Sequence, residues 1–204
     1  MRVAKLTLEQ GLFRLNRLTA VLSWLLPVSG VMMAIALVGT STIDGMRALP
    51  SVMAPAAILG VIAALLAIIL SSMWLSRANA NLRAAGRNLK HGPVMAWLWT
   101  FVPVAGLFKP YDVMREIWRE SVLHDGQATG QDTATLPQWW GAWLVAMIGM
   151  NLSNRAGIEA TEFGRFVLVP VVAVAGLAAC LLLRSLVRAV NHAQASLAQA
   201  AVFA

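Results

Sequence analysis

Five long stretches of this chain contain no Asp, Glu, Lys or Arg, and this feature constrains the fold more than any other. The stretches cover residues 18–43, 48–76, 91–108, 133–154 and 166–183. A helix of about 20 apolar residues is long enough to cross the roughly 30 Å of hydrocarbon in a bilayer. Charged residues make up only 12% of the chain, about half the share that is usual in soluble domains. The sequence therefore predicts an all-α polytopic membrane protein.

The third stretch differs from the others because Pro93 and Pro103 interrupt it. An interior proline removes a backbone hydrogen bond and clashes with the preceding helical turn. If all five stretches crossed the membrane, the Lys and Arg residues would divide 10 to 6 between its two sides. If residues 91–108 instead enter and leave on one side, they divide 13 to 3. The positive-inside rule favours the second arrangement.

The predicted architecture is thus a single integral membrane domain, residues 1–204, with both termini in the cytoplasm. A re-entrant or interfacial segment occupies residues 91–108. The four spanning helices are predicted at about 18–40, 50–76, 134–154 and 166–184.

The residues after Phe108 form an amphipathic pattern. Val113, Met114, Ile117 and Trp118 recur at helical spacing, and charged residues fill the positions between them. Pro110 suits the first turn of a helix. We expect a cytoplasmic helix at residues 110–122 that lies along the lipid headgroups or covers the cytoplasmic end of the bundle.

The second stretch carries small residues three and four positions apart. Small residues let helix backbones approach closely in lipid. The stripe predicts close packing within the bundle, with self-association of two copies as the alternative. Its members are Ala56, Gly60, Ala63, Ala64, Ala67 and Ser71.

An ordered series of motifs links the second stretch to the fourth. Residues 74–86 read WLSRANANLRAAG; KPY follows at 109–111, MREIW at 114–118, and a tryptophan pair at 139–140. The series, with Pro93, Trp97, Trp99, Pro103 and Trp143, resembles an uncharacterised family of bacterial membrane proteins, the domain of unknown function DUF4328. Gly106 departs from it, because the family usually has asparagine there. The resemblance implies a multi-span inner-membrane protein and no defined activity.

Eight residues of these motifs are the candidate functional residues. Arg77 and Asn81 share one helix face. They form either a polar clamp, which would hold residues 91–108 or a ligand, or a simple cationic helix end. Glu116 either engages Arg77 or Arg83, or belongs to a solvated charged face. Trp140 with its neighbours forms either a ligand cage or, more typically, an interfacial tryptophan belt. The full set is Arg77, Asn81, Pro103, Pro110, Tyr111, Glu116, Trp118 and Trp140.

The sequence offers little support for catalysis. His91, His124 and His192 are far apart, and no zinc, phosphate-loop or nucleophile motif is present. Cys180 is the only cysteine. We therefore predict no enzyme activity and no metal or cofactor. Nucleic acid is excluded as a partner because it would need an extensive soluble basic surface.

The predicted partners are membrane lipids, with anionic headgroups at the basic cytoplasmic face, and a second membrane protein or another copy of this chain. The leading functional hypothesis is a non-enzymatic accessory, scaffold or regulatory subunit that acts through its cytoplasmic face. The alternative is a small channel or carrier for a solute or lipid, lined by residues 91–108, because non-helical backbone at membrane depth lines cavities.

Overall fold

The computed structural model describes the backbone of residues 2–42, 50–98, 102, 105–123, 132–156 and 161–203. These residues contain helices and turns and no β-strand, which confirms the all-α prediction. Four helices are long: α1 (Arg2–Thr42), α2 (Pro50–Ala84), α5 (Asp132–Ala156) and α6 (Val169–Phe203). Two are short: α3 (Pro93–Leu98) and α4 (Lys109–Trp118). Single turns of other helix types occur at Ala105–Leu107, Arg119–Leu123 and Gly164–Leu168.

Three helical segments are long and apolar enough to cross a membrane. They are Leu8–Gly39, Ile58–Ala84 and Gly164–Leu197, and each includes most or all of one predicted span. The helices extend well beyond the predicted spans. Charged residues keep the ends of a helix out of the lipid, but they do not end the helix itself. Pro27 lies inside α1, which continues through it.

The described residues of the segment 91–108 do not form one long helix. The six residues of α3 rise only about 9 Å, far less than the thickness of a bilayer, and the backbone next described as helical is the 3₁₀ turn at Ala105–Leu107. The break in its described part agrees with the sequence, and the re-entrant placement of the segment stays a prediction. Pro103 lies outside the described residues.

The chain divides into two compact units, each built from several parts of the sequence. Unit 1 consists of Met1–Ser23, Ile68–Leu136 and Ser185–Ala204, and unit 2 of Trp24–Ala67 and Pro137–Arg184. The assignment of residues 1–204 to one integral membrane domain stays a prediction.

Glycines bring the helices of unit 2 close together. A Cβ at Gly60 would lie 3.6 Å from Met32 Cβ, so this member of the predicted small-residue stripe packs against α1 of the same chain. Gly149 of α5 faces the side chain of Val172 on α6, where an added Cβ would overlap Cγ2 at 2.3 Å. Helices in lipid associate largely through close packing of this kind.

In unit 1, α4 is amphipathic as predicted. Its apolar residues, Val113, Met114, Ile117 and Trp118, are all at most 4% exposed, whereas Arg115 is exposed. The observed helix starts at Lys109 and ends at Trp118, after which the chain continues as a π-helical turn. Because protein covers the apolar face, α4 caps part of unit 1 and has no apolar face left for lipid.

Candidate functional site

The candidate site begins where α2 ends. The N–H of Gly86 donates to the carbonyl of Arg83, and the N–H of Arg87 donates to that of Leu82, both at 3.0 Å. These two hydrogen bonds form a Schellman motif, in which the residue after the helix takes a left-handed conformation. Gly86 does so with φ of 83°, which costs glycine little because it has no Cβ. The motif turns the chain back so that residues 89–91 run beside the last turns of α2.

Two side chains of α2 hold the carbonyls of this returning loop. Arg83 donates from its guanidinium to the carbonyls of Leu89 and His91, the latter at 3.0 Å. Asn79 donates from Nδ2 to the same His91 carbonyl at 2.9 Å. Arg83 Nε also donates to Asn79 Oδ1 at 3.3 Å, so the two side chains support each other one turn apart.

Glu116 of α4 holds the N–H groups of the same loop. Its Oε1 accepts from the N–H of Lys90, and its Oε2 accepts from that of His91 at 3.3 Å. A carboxylate that accepts two backbone N–H groups forms charge-assisted hydrogen bonds, which are stronger than neutral ones. We call Asn79, Arg83 and Glu116 the loop clip, since together they fix both sides of the 89–91 backbone and tie α4 to α2.

A second group of polar side chains is buried between helix ends in unit 1. Asn81 Nδ2 donates to Gln194 Oε1 at 3.4 Å, and Gln194 Nε2 donates to the Ala78 carbonyl at 3.1 Å and to Ser121 Oγ at 3.2 Å. Asn81 and Gln194 are each 3% exposed, and Ser121 is fully buried. We call Asn81, Ser121 and Gln194 the amide cluster. It joins α2, α6 and the turn after α4.

Gly11 of α1 closes the amide cluster on one side. A Cβ added at Gly11 would lie 2.1 Å from Asn81 Oδ1, well inside van der Waals contact. The α1 backbone therefore approaches the Asn81 amide as closely as glycine alone permits.

Two tryptophans complete the surroundings. Trp74 is fully buried and its indole N–H donates to Thr19 Oγ1 at 3.0 Å, linking α2 to α1. Trp118 is 4% exposed, and its Nε1 has no hydrogen-bond partner among the described residues.

The structure places Arg77 and Asn81, which the sequence offers either as a polar clamp or as a cationic helix end, in different surroundings. Asn81 is buried in the amide cluster, whereas Arg77 is half-buried and contributes to neither set of hydrogen bonds described above. The side chains that hold the start of the 91–108 segment are Asn79 and Arg83. Glu116 accepts hydrogen bonds from main-chain N–H groups of the loop, whereas the sequence offered Arg77 or Arg83 as its partner.

The remaining candidate residues are dispersed. Pro110 is buried in the first turn of α4 and Tyr111 is half-buried beside it. Trp140 belongs to unit 2, where its ring stacks on Trp143 with centroids 4.7 Å apart and an interplanar angle of 16°. Trp139 lies 5.4 Å from Trp140 and tilted to it. These three rings thus pack against one another; the choice between an interfacial belt and a ligand cage stays a prediction.

Sequence reasoning missed Asn79, Ser121 and Gln194. A signal for Gln194 exists, because it continues the buried face formed by Leu186, Val187 and Val190 at helical spacing. A polar residue on an apolar face needs a buried partner. Asn79 precedes Arg83 by four residues, the spacing at which side chains meet on a helix.

The comparison with known families agrees with these motifs. The sequence profile described as "Domain of unknown function (DUF4328)" matches residues 46–191, which is more than half of the chain. The chain belongs to the DUF4328 family. No curated protein and no solved structure matches it.

The DUF4328 match covers part of the site. It includes the whole loop clip and two members of the amide cluster, while Gly11 and Gln194 lie outside the matched range. Within the described part of this DUF4328 chain, no three His, Cys, Asp or Glu side chains come together as metal ligands would. The polar groups of the site instead bind one another and the backbone.

Proposed function

We propose that this DUF4328 protein crosses a bacterial inner membrane four times, with unit 1 at the cytoplasmic face. The distribution of charge supports this orientation. Unit 1 contains 12 of the 16 Lys and Arg and 6 of the 9 Asp and Glu, a net +6, whereas unit 2 contains 4 and 3, a net +1. Both chain ends belong to unit 1. The positive-inside rule assigns such a unit to the cytoplasm.

In this proposal α5 is the fourth spanning helix, although its hydropathy is lower than that of the other three. Its 25 residues rise about 37 Å, enough to cross the hydrocarbon. Val145, Ile148 and Leu152 are each at least 47% exposed on its surface, as expected of side chains that face lipid. Its residues belong to unit 1 as far as Leu136 and to unit 2 from Pro137 onwards.

Residues 91–108 are proposed to lie shallowly in the cytoplasmic leaflet. Their described part exposes several large apolar side chains, which water would solvate poorly. The loop clip holds the first residue of the segment at unit 1. The exposed residues are Val94, Met95, Leu98, Val102 and Phe108.

The protein acts through contacts, as an accessory, scaffold or regulatory subunit. The observation that carries this proposal is the loop clip, because its amide, guanidinium and carboxylate groups are all used to hold the 89–91 backbone. Groups engaged in this way fix a shape and are poor candidates for acid–base chemistry. With the loop held in place, the outer face of α4 remains exposed, including Arg115 and Arg119. We propose this face as the surface that binds a partner.

Native mass spectrometry after mild detergent extraction from the source membrane tests this function. We expect a second polypeptide in fixed ratio with the chain, and we expect Arg115→Gln with Arg119→Gln to remove it. The matched control is Arg14→Gln with Arg17→Gln, which removes two exposed cations from α1 and should retain the partner. A chain without any partner, or equal retention by both double variants, contradicts the proposal.

The interrupted helix at residues 91–108 favours one second candidate, a small channel or carrier. Proteoliposome uptake that is abolished by Gly106→Leu would support that function. A reproducible small molecule on a chain without a protein partner would support it as well.

A further inference from the structure

One polar site lies outside the loop clip and the amide cluster, at the seam between α1 and α6 in unit 1. Asn191 Nδ2 donates to Asn16 Oδ1 at 3.1 Å across this seam. The bond uses the oxygen of Asn16, so the NH2 group of Asn16 is not part of it and can donate to a ligand. Asn16 is exposed and Asn191 half-buried, so the pair is accessible from outside.

Two exposed arginines, Arg17 and Arg188, lie close to this amide pair along the chain. Gly11 meets α6 through the amide cluster near Gln194, and Asn16 meets Asn191, so α1 and α6 run antiparallel here. Arg17 follows Asn16, and Arg188 precedes Asn191 by three residues. Both are therefore displaced from the pair in the same direction along the helix axes. At about 1.5 Å of rise per residue, their displacements along the axis differ by about 3 Å.

The aromatic ring of Phe13 supports one of the cations. The guanidinium of Arg17 lies 5.8 Å from the centroid of the Phe13 ring, within the range of a cation–π interaction. Phe13 is itself 65% exposed. An exposed apolar ring under a guanidinium suits the boundary between lipid chains and headgroups, where amphipathic groups collect.

Charge and position together indicate an anion at this seam. Residues 1–23 and 185–204 contain five Lys or Arg and one acidic residue, Glu9, which lies about two helical turns from Asn16. Both helices are candidate membrane spans. From Val21 onward, α1 exposes large apolar side chains along most of its length, so a ligand bound by Arg17 adjoins lipid.

We infer that Arg17, Arg188 and the Asn16–Asn191 pair bind the phosphate of an anionic phospholipid. The two guanidiniums supply the charge and can each form paired hydrogen bonds with phosphate oxygens. The Asn16 amide supplies a neutral donor beside them, and the acyl chains extend along the apolar surface of α1. This inference rests on the proposed membrane orientation, but its test does not.

Native mass spectrometry of the delipidated protein in detergent measures binding directly. The probes are dioleoyl phosphatidylglycerol and dioleoyl phosphatidylcholine, which carry the same chains and differ in net charge. We expect preferential binding of the anionic lipid. Removing both cations with Arg17→Gln and Arg188→Gln should weaken it about 30-fold, because each cation near an anionic headgroup contributes roughly a factor of five.

The matched control, Arg115→Gln with Arg119→Gln, removes the same charge from α4 and should bind as the unmodified chain does. Arg17→Lys with Arg188→Lys keeps the charge and should bind at an intermediate level. A gel-filtration profile and melting curve confirm that each variant is folded. The inference is overturned if both lipids bind equally, if the α4 control loses as much affinity, or if millimolar inorganic phosphate displaces the lipid, since that result indicates a site for free anions.

Discussion

The close approach of α1 to Asn81 makes Gly11→Ala the most informative single substitution. The new Cβ would lie 2.1 Å from Asn81 Oδ1, so the amide must move by about 1 Å to restore normal contact. Asn81 is buried and bonded to Gln194 at 3.4 Å. Moving it leaves buried polar atoms without partners, which costs about 1–3 kcal/mol, and forces an unfavourable rotamer at about 0.5–1.5 kcal/mol.

An opposing gain comes from the helix itself. Alanine is about 1 kcal/mol more favourable than glycine inside a helix. The net effect of Gly11→Ala is thus a free energy of unfolding lower by about 0.5–3.5 kcal/mol. Gly141→Ala is the matched control, because Gly141 is an exposed position in α5 where an added Cβ meets nothing within 4 Å. It should be neutral or stabilising by up to about 1 kcal/mol.

Thermal unfolding of the purified protein in one detergent compares these variants. A double-mutant cycle with Asn81→Ala isolates the contact, since the penalty of Gly11→Ala should largely disappear once the Asn81 amide is absent. If Gly11→Ala is as stable as Gly141→Ala, or if its penalty persists with Asn81→Ala, the reasoning about this contact is refuted.

Three further predictions concern the other hydrogen bonds of unit 1. Glu116→Ala should speed hydrogen exchange at the Lys90 and His91 amides about tenfold, because each charge-assisted bond contributes about 1.5 kcal/mol or more; Asp112→Asn, on the exposed face of α4, should leave exchange unchanged, and equal rates in both variants would argue against the clip. Trp74→Phe should lower the free energy of unfolding by about 1 kcal/mol through loss of the bond to Thr19, and the penalty should vanish in a Thr19→Val background; a penalty independent of residue 19 would assign it to packing. Gln194→Leu should destabilise by about 2–4 kcal/mol in thermal unfolding, since it strands Asn81 and Ser121, and a neutral result would contradict the amide cluster.

Local sequence patterns predict the elements of this fold well. The apolar stretches predict the three candidate spans, and the spacing of Val113, Met114, Ile117 and Trp118 predicts the buried face of α4. Both signals are local, because helix periodicity and hydropathy depend on residues within a few turns of each other. Hydropathy predicts membrane spans and not helix ends: α1 begins at Arg2, well before the predicted span at 18–40, since water solvates a charged helix end that lipid would exclude.

The contacts of the site depend on tertiary packing, which a single sequence encodes weakly. Asn81 and Gln194 are 113 positions apart, and no local pattern pairs them. Arg77 and Asn81 do share a helix face, yet the return of the chain at Gly86 places Asn79 and Arg83 beside the loop. The clamp alternative thus names the end of α2 where the loop is bound, but the side chains that bind it are Asn79 and Arg83.

The number of crossings is the central claim of this account, and cysteine accessibility tests it most directly. Single cysteines at Asn88, Glu162 and His192, all exposed positions, are introduced into a Cys180→Ala background. An impermeant maleimide is added to intact cells, with permeabilised cells as the positive control. Four crossings with cytoplasmic termini predict labelling at residue 162 alone. Labelling at residue 192 with protection at 88 and 162 would show three crossings and contradict the account.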